Sequence, residues 1–324
     1  MRIALDGMGG DNAPQEVVLG AAQAARDLGV EVFLVGLPER IQPLLEAHPE
    51  LRFVPASQVV EMNEHPAQAV RRKPDSSLSV CARLAKQGKV DGWASAGNSG
   101  GILAAALFLQ GRIRGVERPA LGTVVPTAGQ PAYLVDVGAN VDSRPEYLVQ
   151  FARMGCVYAR EILGRPEPRV GLLSNGEEAG KGDQLVRDTR PRLAAAGLNF
   201  CGNVEPKEVL SGRVDVVVAD GFAGNLVIKT AEATAELIFR ALRQEILSSA
   251  TGKVGGLLIR GGVRRLRDRL DWREFGGAPL LGIDGIAVVG HGRSDARAIR
   301  NAIRVAKQAA ETDLIGKIRG AVGR

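Results

Sequence analysis

Short apolar runs alternate with longer amphipathic segments along most of the chain, and this alternation constrains the fold most strongly. The short runs are apolar almost without interruption, which is typical of strands whose two faces are both covered. The intervening segments carry apolar residues at the three- and four-residue spacing of helices. The pattern predicts an α/β fold with three layers, α/β/α, around a mostly parallel sheet. The predicted strands lie at 2–6, 31–36, 51–56, 90–96, 121–127, 132–138, 169–175, 214–221 and 285–292, and the predicted helices near 14–28, 77–88, 99–111, 144–163, 181–196, 223–249 and 294–318.

The domain organisation follows from what the chain lacks. No repeat of 20–50 residues, low-complexity tract or Ser/Pro-rich linker divides it. Its 324 residues, 45% of them hydrophobic, suffice for a large buried core. We therefore treat residues 1–324 as one functional unit, and leave open whether it is built as two lobes around a cleft.

Six of the predicted strands end in turns rich in Gly, Asn and Asp, at residues 6–11, 95–101, 136–142, 174–183, 220–225 and 290–295. In an open α/β sheet such turns lie together outside the carboxyl ends of the strands, where backbone N–H groups point at a ligand. The turns therefore predict a shared site for an anion. The candidate binding residues are Asp6, Gly7, Gly9, Gly10, Asp11, Asn98, Ser99, Gly100, Asp136, Asn140, Gly180 and Gly182.

The segment SNGEEAGKGD resembles a nucleotide-binding P-loop but departs from that motif in two places. Three residues instead of four separate Gly176 from Gly180, and Gly182 replaces the Ser or Thr that should follow Lys181. Hydrolysis of a nucleoside triphosphate is therefore not expected. Lys181 can still hold a phosphate, and a solvent-exposed loop lysine is the alternative interpretation.

A hydrolase is the sharpest competing hypothesis. Residues 97–101, GNSGG, fit the G-x-S-x-G pattern, and Ser99, Asp220 and His291 occur in the chain order of an α/β-hydrolase triad. The sequence has no HGGG-type segment for an oxyanion hole, which weighs against a thioesterase of that class. Each residue also has a structural alternative: Ser99 and Asn225 as helix N-caps, and His291 as part of a turn.

Charge and cysteine content argue against several further classes of protein, among them nucleic-acid-binding and metal-binding proteins. The net charge is +6, and residues 253–273 alone contribute seven basic and two acidic residues, a local +5. Aromatic residues make up only 4% of the chain, so the surface typical of nucleic-acid binding is not predicted. Cys81, Cys156 and Cys201 lie far apart, which favours neither a metal site nor a disulfide and indicates a reducing cytoplasm, and their apolar surroundings indicate buried thiols. Neither a signal peptide nor an apolar run long enough for a transmembrane helix is recognisable.

The basic run is also amphipathic. Within 254–270 the apolar residues recur at helical spacing, and four glycines interrupt them. Because glycine disfavours helix interiors, we expect a helical hairpin or a loose loop instead of one rigid helix. We therefore predict a cationic amphipathic hairpin inserted at 253–273.

Several long segments together resemble, in order and across essentially the whole chain, the bacterial acyl-ACP:phosphate acyltransferases of phospholipid synthesis. They are IALDGMGGDNAP, SAGNSGG, LVDVGANVDSRPEYLVQFA, SNGEEAGKG, VVVADGFAGN and EFGGAPLLGIDG followed by GHGRSDARAI. The resemblance implies a fold similar to phosphotransacetylase and the isopropylmalate dehydrogenase-like enzymes. It implies that fatty acyl-acyl carrier protein and inorganic phosphate become acyl phosphate and free carrier protein, without a cofactor. It also implies a homodimer, located in the cytoplasm and peripherally on the membrane, that supplies a membrane-bound acyltransferase acting on glycerol 3-phosphate.

The resemblance also implies roles for individual residues. Lys181 and Asn225 match its motifs and would donate hydrogen bonds to the oxyanion formed at the thioester carbonyl. To these we add His291, as a hydrogen-bond donor or an acid near the leaving thiolate. The candidate turn residues would then bind phosphate or the acyl thioester. Phosphate is already a nucleophile, so this chemistry needs no Ser or Cys nucleophile and no metal.

Three partners compete for the basic run: a second subunit, an acidic carrier protein and an anionic membrane surface, with a purely structural hairpin as the remaining alternative. Five arginines within 260–269 count against a dimer interface as the whole explanation, because such an interface favours apolar residues with few like charges at its centre. Carrier protein accounts for the arginines but leaves the apolar residues exposed. A membrane surface accounts for both, since anionic head groups attract Arg and acyl chains attract Leu and Ile. We therefore expect membrane or carrier-protein contact through Leu257, Leu258, Ile259, Arg260, Arg264 and Arg265.

Overall fold

The computed structural model describes residues 1–322, apart from the side chain of Trp272. In this range eleven strands form one sheet, in the order β3-β2-β1-β4-β11-β10-β5-β6-β9-β7-β8. Their bounds are β1 Arg2–Asp6, β2 Glu31–Gly36, β3 Arg52–Pro55, β4 Gly92–Ser95, β5 Ala120–Val125, β6 Ala132–Val135, β7 Val170–Leu173, β8 Phe200–Val204, β9 Val216–Val218, β10 Ala278–Leu281 and β11 Ala287–Val289.

Helices connect most of the strands. Their bounds are α1 Gln15–Leu28, α2 Pro38–Leu45, α3 Pro66–Arg72, α4 Ser77–Lys86, α5 Ser99–Ala105, α6 Pro145–Glu161, α7 Gln184–Ala194, α8 Pro206–Val209, α9 Gly221–Leu247, α10 Ala250–Leu270, α11 Trp272–Phe275, α12 Ala296–Glu311 and α13 Leu314–Val322. A π-helical turn, Ala106–Gln110, continues α5.

The sheet consists of two parallel blocks that run in opposite directions. Strands β3, β2, β1, β4 and β11 are parallel to one another, and so are β6, β9, β7 and β8. Between the blocks, β10 and β5 pair antiparallel with each other and with their outer neighbours, which reverses the direction. The predicted α/β fold with a mostly parallel sheet is confirmed.

Alternate residues along the strands pack into different hydrophobic clusters, as expected for a sheet that is covered on both faces. Ile3 and Leu5 of β1 belong to the cluster formed with α1, α6, α12 and α13. Ala4, between them, belongs to the cluster formed with α4 and α5. A third cluster lies over the second block, where residues of α9 pack against it.

Several elements differ from the prediction. The strands β8 and β10 were missed because NFCGNV is polar and rich in small residues and APLL contains Pro, so neither has a strand-like pattern. The predicted helix 294–318 is two helices, α12 and α13, separated at Asp313, whose φ of 49° is left-handed. The expectation that all three cysteines are buried is wrong for Cys201, which is exposed on the edge strand β8.

The basic run was expected to break at its glycines, and this expectation is wrong. Residues 250–270 form one continuous helix, α10, which packs against α9 across the short connection at Ser248 and Ser249. A Cβ atom at Gly256 would lie 2.4 Å from Ile246 Cγ2, so a glycine is needed where the two helices meet. This packing overrides the weak helix propensity of glycine. We call the pair, residues 221–270, the α9–α10 hairpin.

Candidate active site

A cavity of about 990 Å³ lies between the α9–α10 hairpin and the strands that join the two blocks of the sheet. Most of its lining is apolar and comes from β5 and from α9 between residues 225 and 242, with Leu266 and Leu270 of α10. Asn225, Lys229 and His291 lie together in the lining, since Lys229 Nζ is 2.9 Å from His291 Nε2 and Asn225 precedes Lys229 by one helical turn; we call this part the polar end. The cavity therefore combines a long apolar space with one polar end.

The first group of turns surrounds the buried carboxylate of Asp6. This carboxylate accepts hydrogen bonds from Met8 N (3.1 Å) and Ser95 Oγ (2.7 Å), and Ser95 Oγ in turn accepts from Gly97 N (3.0 Å). A Cβ atom at Gly9 would lie 2.7 Å from Gly97 N, so only glycine allows the two turns to pack. Burial raises the pKa of Asp6, and its hydrogen bonds oppose that rise.

The third member of this group is the turn that carries His291. Gly290 N donates to Ser95 O (2.7 Å), and Asp11 N donates to Gly292 O (2.7 Å). The turns after β1, β4 and β11 are thus joined by backbone hydrogen bonds, as expected from the parallel order of these strands.

The second group of turns surrounds the buried carboxylate of Asp136. It accepts five hydrogen bonds, from the N–H groups of Leu121, Gly138, Ala139 and Asn140 and from Asn140 Nδ2, at 2.7–3.2 Å. Burial raises the pKa of Asp136, and these donors oppose the rise because they favour the ionised form. The turn also supports α9, since a Cβ atom at Gly224 would lie 1.9 Å from Asp136 O.

The start of α9 was predicted to offer free N–H groups to an anion, and this expectation is wrong. Gly221 N donates to Asn140 O (2.7 Å), and Gly224 N donates to Asp220 O (3.0 Å). Phe222 N and Ala223 N both donate to Asp220 Oδ1, at 2.8 and 2.9 Å. All four N–H groups are used within the protein, and Asp220, not Asn225, is the N-cap.

The predicted site residues divide into three sets. Ser99, Asn225 and His291 line the cavity. A second set builds the turns beside it and comprises Asp6, Gly7, Gly9, Gly10, Asp11, Asn98, Gly100, Asp136 and Asn140. The loop with Gly180, Lys181 and Gly182 does not line the cavity. It follows β7, where Gly182 N donates to Asn175 Oδ1 (2.9 Å) and Asn203 Nδ2 donates to Glu178 O (3.0 Å).

Lys229 is the residue that sequence reasoning missed. Its Nζ lies 2.9 Å from His291 Nε2 and 3.8 Å from Glu232 Oε2. Asn225 precedes it by one helical turn, so both side chains project from the same face of α9. That spacing is the signal in the sequence that could have found it.

His291 is not the acid that the sequence analysis expected. Burial, the Lys229 ammonium and the Arg293 guanidinium lower the pKa of His291 to about 4. The imidazole is therefore neutral near pH 7 and accepts a hydrogen bond from Lys229. Arg293 meanwhile binds Glu236 (2.8 Å) and approaches Glu232 (3.6 Å), which connects this turn to α9.

The structure gives the hydrolase alternative no support. In a triad the His Nε2 faces the serine hydroxyl, but Nε2 of His291 lies 2.9 Å from Lys229 Nζ. Asp220 is occupied as the cap of α9. Ser99 is the first residue of α5, and the N-cap of that helix is Asn98, whose side chain also donates to the carbonyl groups of residues 61, 62 and 64.

Within residues 1–322, no cluster of three or more His, Cys, Asp or Glu side chains is arranged to hold a metal ion. Over the same residues, none of the helices combines the length and apolarity that crossing a membrane requires.

Comparison with known proteins identifies the family. A family described as "Fatty acid synthesis protein" matches residues 1–317. The phosphate acyltransferase of Desulforudis audaxviator is 50% identical over 323 residues, which cover 100% of this chain and 96% of the relative. The phosphate acyltransferase of Desulfitobacterium hafniense (strain Y51) is 49% identical, covering 98% of this chain and 96% of the relative. The chain belongs to this family. The predicted family membership is confirmed, and with it the prediction of an acyltransferase.

Solved structures agree on the fold. A phosphotransacetylase from Streptococcus pyogenes superposes with a TM-score of 0.64 at 17% identity, covering 100% of this chain and 94% of that one. A branched-chain phosphotransacylase from Enterococcus faecalis has a TM-score of 0.61 at 12% identity, covering 96% and 99%. The expected similarity to phosphotransacetylases in fold is confirmed.

Proposed function

We propose that the protein transfers a fatty acyl group from acyl carrier protein to inorganic phosphate and releases acyl phosphate for phospholipid synthesis. The observation that carries the proposal is the cavity, whose apolar body and polar end match a molecule with a long hydrocarbon chain and one reactive polar end. Membership of the family supports the same chemistry.

The apolar body of the cavity is the proposed acyl-chain site. Leu242 follows Asn225 by seventeen positions in α9, and both line the cavity. At the helical rise per residue this distance is about 25 Å. Ile238, Phe239 and Leu266 contribute further apolar surface along this length. An extended acyl chain can therefore lie along α9, with its thioester at the polar end.

The transfer is a single substitution at the thioester carbonyl. An oxygen of monohydrogen phosphate forms a bond to the carbonyl carbon, and the bond from carbon to sulfur breaks with its electron pair on sulfur. The hydrogen of the phosphate ends on the released thiolate, so the reaction needs no net proton from the protein. This balance agrees with a neutral His291 near pH 7.

The developing oxyanion needs hydrogen-bond donors. The amide of Asn225 at the polar end of the cavity is the proposed donor. Lys181 keeps its proposed role through the family motif, and reaching the cavity would require its loop to move. The turn residues around Asp6 and Asp136 are proposed to support the site through the shape of their backbone.

The far end of the α9–α10 hairpin is proposed to dock on an anionic membrane surface. Val254, Leu257, Leu258 and Ile259 are 64%, 70%, 82% and 51% exposed, and Arg260, Arg264 and Arg265 follow on the same helix. Exposed apolar residues next to arginines are typical of interfacial helices. Because α10 also lines the cavity, the product would form close to the membrane-bound acyltransferase proposed to consume it.

The exposed face of α9 is proposed to contact a second copy of the chain. Of its 27 residues only Gly221 and Gly224 are buried, while Phe222 and Leu237, which do not line the cavity, are both 64% exposed. Apolar side chains in this number on one helix favour a covered surface. A homodimer through α9, in the cytoplasm and bound peripherally to the membrane, is the proposed arrangement.

Trapping the product tests the proposed activity. The enzyme is incubated with palmitoyl-acyl carrier protein and inorganic phosphate, and acyl phosphate is converted with hydroxylamine to the hydroxamate. Hydroxamate that requires both enzyme and phosphate supports the proposal, and a second arm with palmitoyl-coenzyme A tests the choice of carrier. Release of free fatty acid at an equal rate without phosphate would overturn it.

A further inference from the structure

We infer that Lys229 binds the phosphate that attacks the thioester. The inference rests on the proposed function and assigns the phosphate site, at the polar end of the cavity, to a side chain outside the motif that contains Lys181. Its basis is the pairing of Lys229 with His291 at that end of the cavity.

A phosphate dianion entering the cavity needs a positive charge. Among the described residues, Lys229 is the only Lys or Arg that lines the cavity. Lys181 lies in the loop after β7, outside the lining. An anion buried without a cationic partner is strongly unfavourable, so a phosphate in this cavity is expected at Lys229.

Backbone groups offer a weaker alternative here than the sequence predicted. The first four N–H groups of α9 are bonded to Asn140 O and to Asp220. Those of Gly138, Ala139 and Asn140 are bonded to the Asp136 carboxylate. With these donors committed inside the protein, a mobile side chain with three N–H bonds is the better phosphate ligand.

Two side chains, His291 and Glu232, lie next to the ammonium group of Lys229. His291 Nε2 lies 2.9 Å from Lys229 Nζ, and a neutral imidazole accepts one of its three N–H bonds without cancelling its charge. Glu232 is farther away, at 3.8 Å, and also faces Arg293 at 3.6 Å. Lys229 therefore keeps N–H bonds for a phosphate, with His291 as the positioning residue.

The position also suits the reaction. Asn225 lies one helical turn before Lys229 and lines the same end of the cavity. Phosphate on Lys229 and the thioester oxygen on Asn225 would thus lie side by side. This arrangement brings nucleophile and carbonyl together, which is the main contribution a site can make when the nucleophile is already charged.

Steady-state kinetics test the assignment. In Lys229→Met we expect the KM for phosphate to rise about 10- to 100-fold, the effect of losing one charge-assisted hydrogen bond. The KM for acyl-acyl carrier protein is expected to change less than about threefold, because Lys229 is assigned to phosphate and its loss removes no contact that binds the acyl substrate. Lys229→Arg keeps the charge and is expected to recover part of the loss. Lys89→Met, at an exposed lysine outside the cavity lining, is the matched control and should resemble the wild type.

A binding measurement without turnover separates this inference from the proposed function. The chain has three histidines, so the imidazole signals are resolvable by NMR. Inorganic phosphate should shift the His291 signal in the wild type and leave it unchanged in Lys229→Met. A wild type that makes no acyl phosphate would refute the proposed function. An active wild type, with an unchanged phosphate KM and an unchanged phosphate-induced shift in Lys229→Met, would refute the inference alone.

Discussion

Replacing Lys229 with Met is expected to raise the pKa of His291. In the structure the Lys229 ammonium lies 2.9 Å from His291 Nε2 and lowers the pKa of the imidazole, after burial, which is the larger cause. Met fills a similar volume but carries no charge, so the imidazolium form loses a repulsion while the burial stays.

The distance sets the size of the effect. Two unit charges 2.9 Å apart repel by about 1.4 kcal/mol in water and by about 5.7 kcal/mol at an effective dielectric constant of 20. The Lys229 side chain is 51% exposed, so solvent screening places the value near the lower limit. At about 1.4 kcal/mol per pKa unit, the pKa of His291 should rise by about 1 from its value of about 4.

The assay is a pH titration of the imidazole signals by NMR, with the His291 signal assigned by its loss in His291→Gln. Lys89→Met, at an exposed lysine outside the cavity lining, serves as the control for a general loss of positive charge. A His291 that titrates near its ordinary value of 6.5 in the wild type, or that does not respond to Lys229→Met, would refute the contact on which the phosphate site depends.

Three further predictions concern stability and membrane binding. The pKa of His291 is lowered in the folded state, so between pH 6.5 and 4 the unfolded chain binds a proton that the folded chain does not. The free energy of unfolding should therefore fall by about 1–2 kcal/mol as the pH falls through this window, and His291→Gln should lose this part of the pH dependence in denaturant titrations. Asp136→Asn turns an amide toward several N–H donors and should lower the free energy of unfolding by about 2–4 kcal/mol. Leu258→Glu combined with Ile259→Glu should abolish co-sedimentation with anionic liposomes while leaving turnover without lipid unchanged.

Matched variants keep these outcomes interpretable. Asp142→Asn changes an exposed carboxylate in the same turn as Asp136, and equal losses in both variants would contradict the special role of the buried one. Leu19→Glu places a charge at an exposed leucine on α1, far along the chain from the hairpin. If the double variant still sediments as the wild type does, or if it first loses its self-association, the end of the hairpin is not the membrane contact.

Much of the fold was predictable because burial on both faces leaves a strong mark in the sequence. Runs such as RIALD and EVFLVG became β1 and β2 with the predicted bounds. The reversal of direction between the two blocks was not predictable, because it depends on β10, whose residues APLL carry no strand pattern. Continuous α10 was missed for a related reason, since the contact between Gly256 and Ile246 is tertiary.

The candidate site was predictable only in part. The sequence located the turns, and in the structure Asn225 and His291 line the same cavity. The sequence could not show that backbone N–H groups of these turns donate to the carboxylates of Asp6 and Asp136 and not to a ligand, because the direction of each N–H group is set by the folded backbone. For the same reason an exposed Lys229 looked ordinary until His291, 62 residues away, was seen beside it.

The most direct test of the central claim follows the phosphorus atom. Wild-type enzyme, palmitoyl-acyl carrier protein and [³²P]phosphate are mixed, and the organic phase is analysed for labelled acyl phosphate while the free carrier thiol is titrated. The proposed mechanism predicts one labelled acyl phosphate for each thiol released, with both products absent when phosphate is omitted. Thiol released without phosphate, accompanied by unlabelled fatty acid, would contradict direct attack of phosphate on the thioester.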